Sequence, residues 1–235
     1  MGTNESGARQ GVAVHRGPHP GIVACVFTAL FIAGLVPVTL LAGETHFPAP
    51  QQPLDEVLVY FRSNAANVRL CAFLQFGSAV PLGIFTMTMV SRLRFHRISA
   101  AGPWIALFGG MLATISIFVS SLLAWVLSQP GIADDAGVTR ALHLLAFATG
   151  GPGYSVPLGL LIAGIAVPAG FAGLLPRWLV AGGIALAAVG ELSALNLMFP
   201  QLLFLIPLTR FPGFVWLILA GFKLRPTTSP MAQTS

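Results

Sequence analysis

Charge is scarce in this sequence. Charged residues occupy 8% of its 235 positions, against roughly 25% in an ordinary soluble domain, too little polar surface to keep a soluble chain dispersed. Lysine is scarcer still: of 12 cations only Lys223 is Lys and the rest are Arg. With abundant Ala, Gly and Pro, that bias points to a GC-rich bacterial genome. The cations are strung along loops, with no basic helix or aromatic-interleaved patch, so nucleic acid is excluded as a partner. There are only two cysteines, Cys25 and Cys71. They fall near the starts of successive antiparallel spans, far beyond the roughly 7 Å Cα separation that a disulfide bridges, and are expected as small buried hydrophobes.

Apolar residues, at 55%, are plentiful and come in long runs. A helix needs about 20 such residues to cross the hydrocarbon core of a bilayer. The runs predict an all-α, polytopic bundle of six spans at about residues 21–42, 69–91, 103–127, 140–168, 178–198 and 201–222. Residues 1–20 and 226–235 read as flexible tails, and 21–225 as the transmembrane domain. The first run is longer than the roughly 7–15 residues of a signal-peptide core, so it is expected to be retained. Residues 43–54 carry turn signals. After them, Asp55-Glu56-Val57-Leu58-Val59-Tyr60-Phe61-Arg62 is amphipathic, with an acidic opening suited to a helix N-terminus, and predicts a short interfacial helix.

Cation placement orients the bundle. Arg9, Arg16, Arg92, Arg94, Arg97, Arg177, Lys223 and Arg225 fall on one side, and Arg62, Arg69 and Arg140 on the other. The positive-inside rule then places both termini in the cytoplasm. A weak repeat relates spans two and four. Val80-Pro81-Leu82-Gly83 matches Val156-Pro157-Leu158-Gly159, each preceded by an Arg and a Phe seven residues on, and each followed by a span that opens at a Trp.

Few residues are candidates for chemistry. Gly150-Gly151-Pro152-Gly153 in span four should interrupt the helix near mid-membrane. Irregular backbone there needs protein or a wet cavity around it; transporters use such breaks to show backbone dipoles to a substrate, while a simple packing kink is the other reading. Glu191 and Arg210 are formally charged within spans, where each costs roughly 2.5–3.5 kcal/mol. A hairpin turning near Phe199-Pro200 matches their depths, so they are expected to pair. His143 and Gln75 join them in the outer half of the bundle, as a polar vestibule or simply as groups at interfacial depth. One embedded His and two distant Cys assemble neither a zinc site nor a bis-histidine haem site, so no cofactor or metal is expected.

The stretch from Arg140 to Trp178, with Gly150-Gly151-Pro152-Gly153 and Val156-Pro157-Leu158-Gly159, resembles a family of uncharacterised bacterial membrane proteins. So does the segment holding Tyr60-Phe61-Arg62, Phe76-Gly77-Ser78 and Ser91-Arg92-Leu93-Arg94. That six-helix family is a domain of unknown function, and the resemblance implies an inner-membrane location and no activity. The functional expectation is a non-enzymatic, transporter-like or ligand-binding bundle in the lipid bilayer. The alternatives are a structural or regulatory subunit that meets another membrane protein or its own copy through small-residue faces such as 182–190, and, last, a lipid-modifying enzyme using Glu191 or His143.

Overall fold

The computed structural model describes residues 13–14, 17–42, 47–225 and 228–229. Most of both expected tails lies outside the described residues. The architecture is an all-α bundle, with six helical segments long and apolar enough to cross a membrane. They are built from α1 (Pro20–Thr39), α3 (Ala65–Phe95), α4 (Gly102–Leu127), α5 with α6 (Ala136–Gly150 and Pro152–Phe171), α7 (Arg177–Leu192) and α8 (Leu205–Lys223). Between the first two spans lies α2 (Leu54–Ser63), ten residues long, with Asp55 and Glu56 in its first turn and Arg62 in its last. Both charges suit the helix dipole. The expected interfacial helix is therefore present.

Consecutive spans are neighbours, α1 on α3, α3 on α4, α4 on α5 and α6, α6 on α7, α7 on α8, and α8 closes the ring against α1. Glycine sets the tightest crossings, as is common where helices associate in lipid. A Cβ at Gly109 would lie 2.6 Å from the Leu161 nitrogen, and one at Gly164 would strike the Ala106 backbone. These two positions let α4 and α6 approach backbone to backbone. Consequently α6 lies deep in the ring and also touches α3 and α8. In both copies of the Val-Pro-Leu-Gly motif the glycine faces the following span: Gly83 faces Thr114, and Gly159 faces Ala187 and Gly190.

Span six starts where expected, at Pro200, but in 3-10 winding. Span five ends its α-helix at Leu192 and tightens into a 3-10 stretch, Ser193–Leu197. After the turn at Phe199 a second one, Pro200–Phe204, precedes α8. The prolines account for part of this. Pro200 opens the second 3-10 stretch, and Pro207 sits in the first turn of α8, where an amide has no helical acceptor anyway.

The end of the bundle remote from residues 20 and 223, called outer for the side the cation pattern expects, is braced by three arginines. Arg62 Nε donates to the Ala133 carbonyl (3.1 Å) and pairs with Asp134 (3.3 Å). Arg69 donates to the Ser128 carbonyl (3.0 Å), and Arg140 to the Gln52 carbonyl (3.0 Å). Asp135 caps α5 by accepting from the Val138 amide.

Candidate functional site

Span four is two helices. α5 stops at Gly150 and α6 starts at Pro152, with Gly151 between them at ψ −102°, far from the helical value of about −42°. Pro152 has no N–H for the Ala148 carbonyl. Proline alone does not cause the break, because Pro81 and Pro157 lie inside continuous α3 and α6. The glycines supply the rest. A Cβ at Gly150 would collide with Ser120 Oγ, and one at Gly153 would sit 2.8 Å from the Ala148 oxygen. Two serines of α4 serve the backbone around the break: Ser120 donates to the Ala146 carbonyl (2.9 Å) and Ser116 to the Gly153 carbonyl (2.6 Å).

The break separates the two halves of the span. α6 fills the inner half of the ring, whereas α5 stays on α4 and α2 and makes no substantial contact with α8. The outer half is thereby left with a cavity of about 280 Å³. Its wall is mostly apolar and aromatic, including Phe31 and Leu35 of α1, Cys71 of α3, Ile117 of α4, Phe147 of α5, and Phe47 above. His143, Gln75, Gly150, Gly151 and Arg210 all face it. Pro152 and Gly153, just beyond the break, are not among its lining residues.

Arg210 reaches the cavity from α8. Its Nη2 donates to the Gly150 carbonyl, an acceptor freed because the Tyr154 amide turns instead to the Gly151 oxygen (3.2 Å). The guanidinium also lies 5.4 Å from the Phe31 ring centre and 5.3 Å from that of Tyr154. A cation at the bilayer centre costs roughly 2.5–3.5 kcal/mol. A hydrogen bond to a charged group offsets about 1.5–3 of that, and each cation–π contact about 0.5–2. These contacts offset much of the cost with no carboxylate involved, and leave the buried Nε without a partner.

The expected Glu191–Arg210 pair is not formed. The ion pair that joins described residues is Arg62–Asp134, and Glu191 takes part in none. Glu191 is exposed on α7, its carboxylate over Gly159 at the α6–α7 contact and outside the cavity. The 3-10 winding on both sides of the turn advances each residue by about 120° instead of 100°, so the two side chains leave their helices toward different neighbours.

His143 is buried and carries a structural bond. Its Nε2 lies 3.0 Å from the Pro48 carbonyl oxygen, which can only accept, so the proton is on Nε2. Phe47 and Phe61 flank the ring edge-on at 6.3 and 5.7 Å. With Arg140 it ties residues 47–53 across the outer mouth. Burial among these groups pushes the Tyr60 phenol of α2 well above its ordinary range. Gln75 lies across Gly34 of α1. Cys25 and Cys71 are both free thiols.

Phe31, Tyr154, Ser120 and the strap at Phe47-Pro48 belong to the site but carry no sequence signal. Each is an ordinary residue for a membrane helix or loop, and only its neighbours make it part of a cavity. Among the described residues no three His, Cys, Asp or Glu gather as a metal site. No protein-family model, curated protein or solved structure matches the chain.

Proposed function

We propose that this multi-pass membrane protein is a ligand-binding, transporter-like bundle whose ligand occupies the outer-half cavity. One observation carries the reading. Beside the break at Gly151 lies a cavity lined by an arginine without a carboxylate partner among the described residues, a histidine, a glutamine and the two glycines of the break. Interrupted spans with backbone groups turned toward a mid-membrane site are a device of transport proteins, and a concave, mostly apolar site with few polar groups suits a small organic ligand. The cation asymmetry supports both termini facing the cytoplasm of a bacterial inner membrane. The test is native mass spectrometry of the purified protein beside Ala124→Phe, a variant that fills the cavity. A small molecule retained by the wild type and lost from the variant supports the reading. A bare chain in both, or a co-purifying partner chain, counts against it.

The subunit reading is favoured by one observation. Of the small residues at 182–190, Gly183 and Gly190 are used inside the bundle, against Trp216 and Ser155, while Gly182, Ala185 and Ala188 face outward. A reading as a lipid enzyme is weaker, since Glu191 and His143 stand on opposite sides of the cavity wall.

A further inference from the structure

The cavity carries one formal charge. Among the described residues Arg210 lines it, no Asp or Glu does, and no carboxylate pairs with the guanidinium. Nη2 is used by Gly150, but the buried Nε has no partner, and an unmet charged donor in low dielectric is costly. Arg presents a planar fork that matches a carboxylate. A dianion would bring a second negative charge with no second cation to meet it, a burial that is strongly penalised. A cationic ligand would face Arg210 directly.

Depth and wall composition narrow the class further. Five 3-10 and five α-helical steps separate Pro200 from Arg210, about 17 Å along the span, which for a span along the bilayer normal is about the middle of a roughly 30 Å hydrocarbon core. Phospholipid headgroups stay at the surface, and 280 Å³ is too small for a two-chain lipid. The aromatic and aliphatic wall requires an apolar body.

We propose that the cavity takes a monoanionic amphiphile, a single carboxylate on a medium-length apolar chain, with the carboxylate against Arg210. This rests on the reading of the cavity as a ligand site. Gly150 O and the faces of Phe31 and Tyr154 hold the guanidinium in place before the ligand arrives, so the anion meets a pre-oriented fork. Gln75 of α3 also lines the cavity and offers a neutral donor to a bound carboxylate.

The experiment uses Cys25→Ser, in which Cys71 on the cavity wall is the sole thiol. Alkylation of Cys71 by N-ethylmaleimide is followed by intact mass in non-ionic detergent, with octanoate, 1-octanol or octylamine at equal concentration. Octanoate is expected to slow alkylation about tenfold, and the other two less than about twofold, because occupancy protects in proportion to affinity. Arg210→Gln should abolish the octanoate effect, and Arg210→Lys should keep part of it. Equal protection by octanol, or stronger protection by octylamine, overturns the anion proposal while leaving the cavity a ligand site. No protection by any of the three overturns the ligand-site reading with it. Octanoate protection that persists in Arg210→Gln also overturns the proposal. The wild-type series alone decides the matter if Arg210→Gln does not fold.

Discussion

Arg210 on α8 donates a hydrogen bond to the carbonyl of Gly150, 60 residues earlier at the end of α5. This bond spans the one flank of the ring where α5 and α8 do not pack. It places a cation against the negative end of a helix, which is why Arg210 tolerates its depth without Glu191. Replacing Arg210 by Met should lower detergent thermostability by the equivalent of about 1–3 kcal/mol, the loss expected when a buried carbonyl is left unsatisfied. Glu191→Gln should change it by less than about 0.5 kcal/mol, as for an exposed substitution. In the double variant the two effects should add. A coupling above about 1 kcal/mol would mean that the two groups interact after all.

Glycine substitutions should differ in sign with their surroundings. At Gly153 an added methyl meets the Ala148 oxygen at 2.8 Å, so Gly153→Ala should destabilise by about 1–3 kcal/mol. At Gly182, in the middle of α7, nothing lies within 4 Å. Gly182→Ala should stabilise by about 0.5–1 kcal/mol through helix propensity. Thermal melts of the two variants check this, and two shifts of the same sign would contradict the packing described.

The strap at residues 47–53 is held by His143 and Arg140. Removing either side chain should loosen the outer mouth without unfolding the ring, since local opening draws on local contacts. Hydrogen exchange read by mass spectrometry should show protection over residues 47–53 falling about tenfold in Arg140→Ala, the share of one charge-assisted bond, and exchange in α6 unchanged. Uniform loss across the chain would mean that the strap is part of the core.

Orientation is open to a direct test. Alkaline-phosphatase fusions within residues 43–54 and 129–138 should be active, and those within 92–99 or after Arg225 silent, given the cation asymmetry. Activity after Arg225 would invert or break the six-span order.

Hydropathy and turn residues were sufficient, by themselves, to specify six spans, their order and the interfacial α2. Each of these depends on local composition, because a bilayer demands about 20 apolar residues and internal hydrogen bonding whatever the neighbours are. The triplet of glycines around Pro152 was legible for the same reason: proline removes an amide and glycine removes stiffness within one segment of chain. Tertiary structure decided where the break leads. Arg210 finding Gly150 rather than Glu191 depends on the rotation added by two 3-10 stretches, and hydropathy does not register a change of about 20° per residue. The cavity depends on α6 being drawn inward by Gly109 and Gly164 while α5 stays outside, which no single segment encodes. Phe31, Tyr154 and Ser120 became part of a site only once helices far apart in sequence met around them, since van der Waals contact and cation–π geometry act over a few ångströms of space, whatever the distance along the chain.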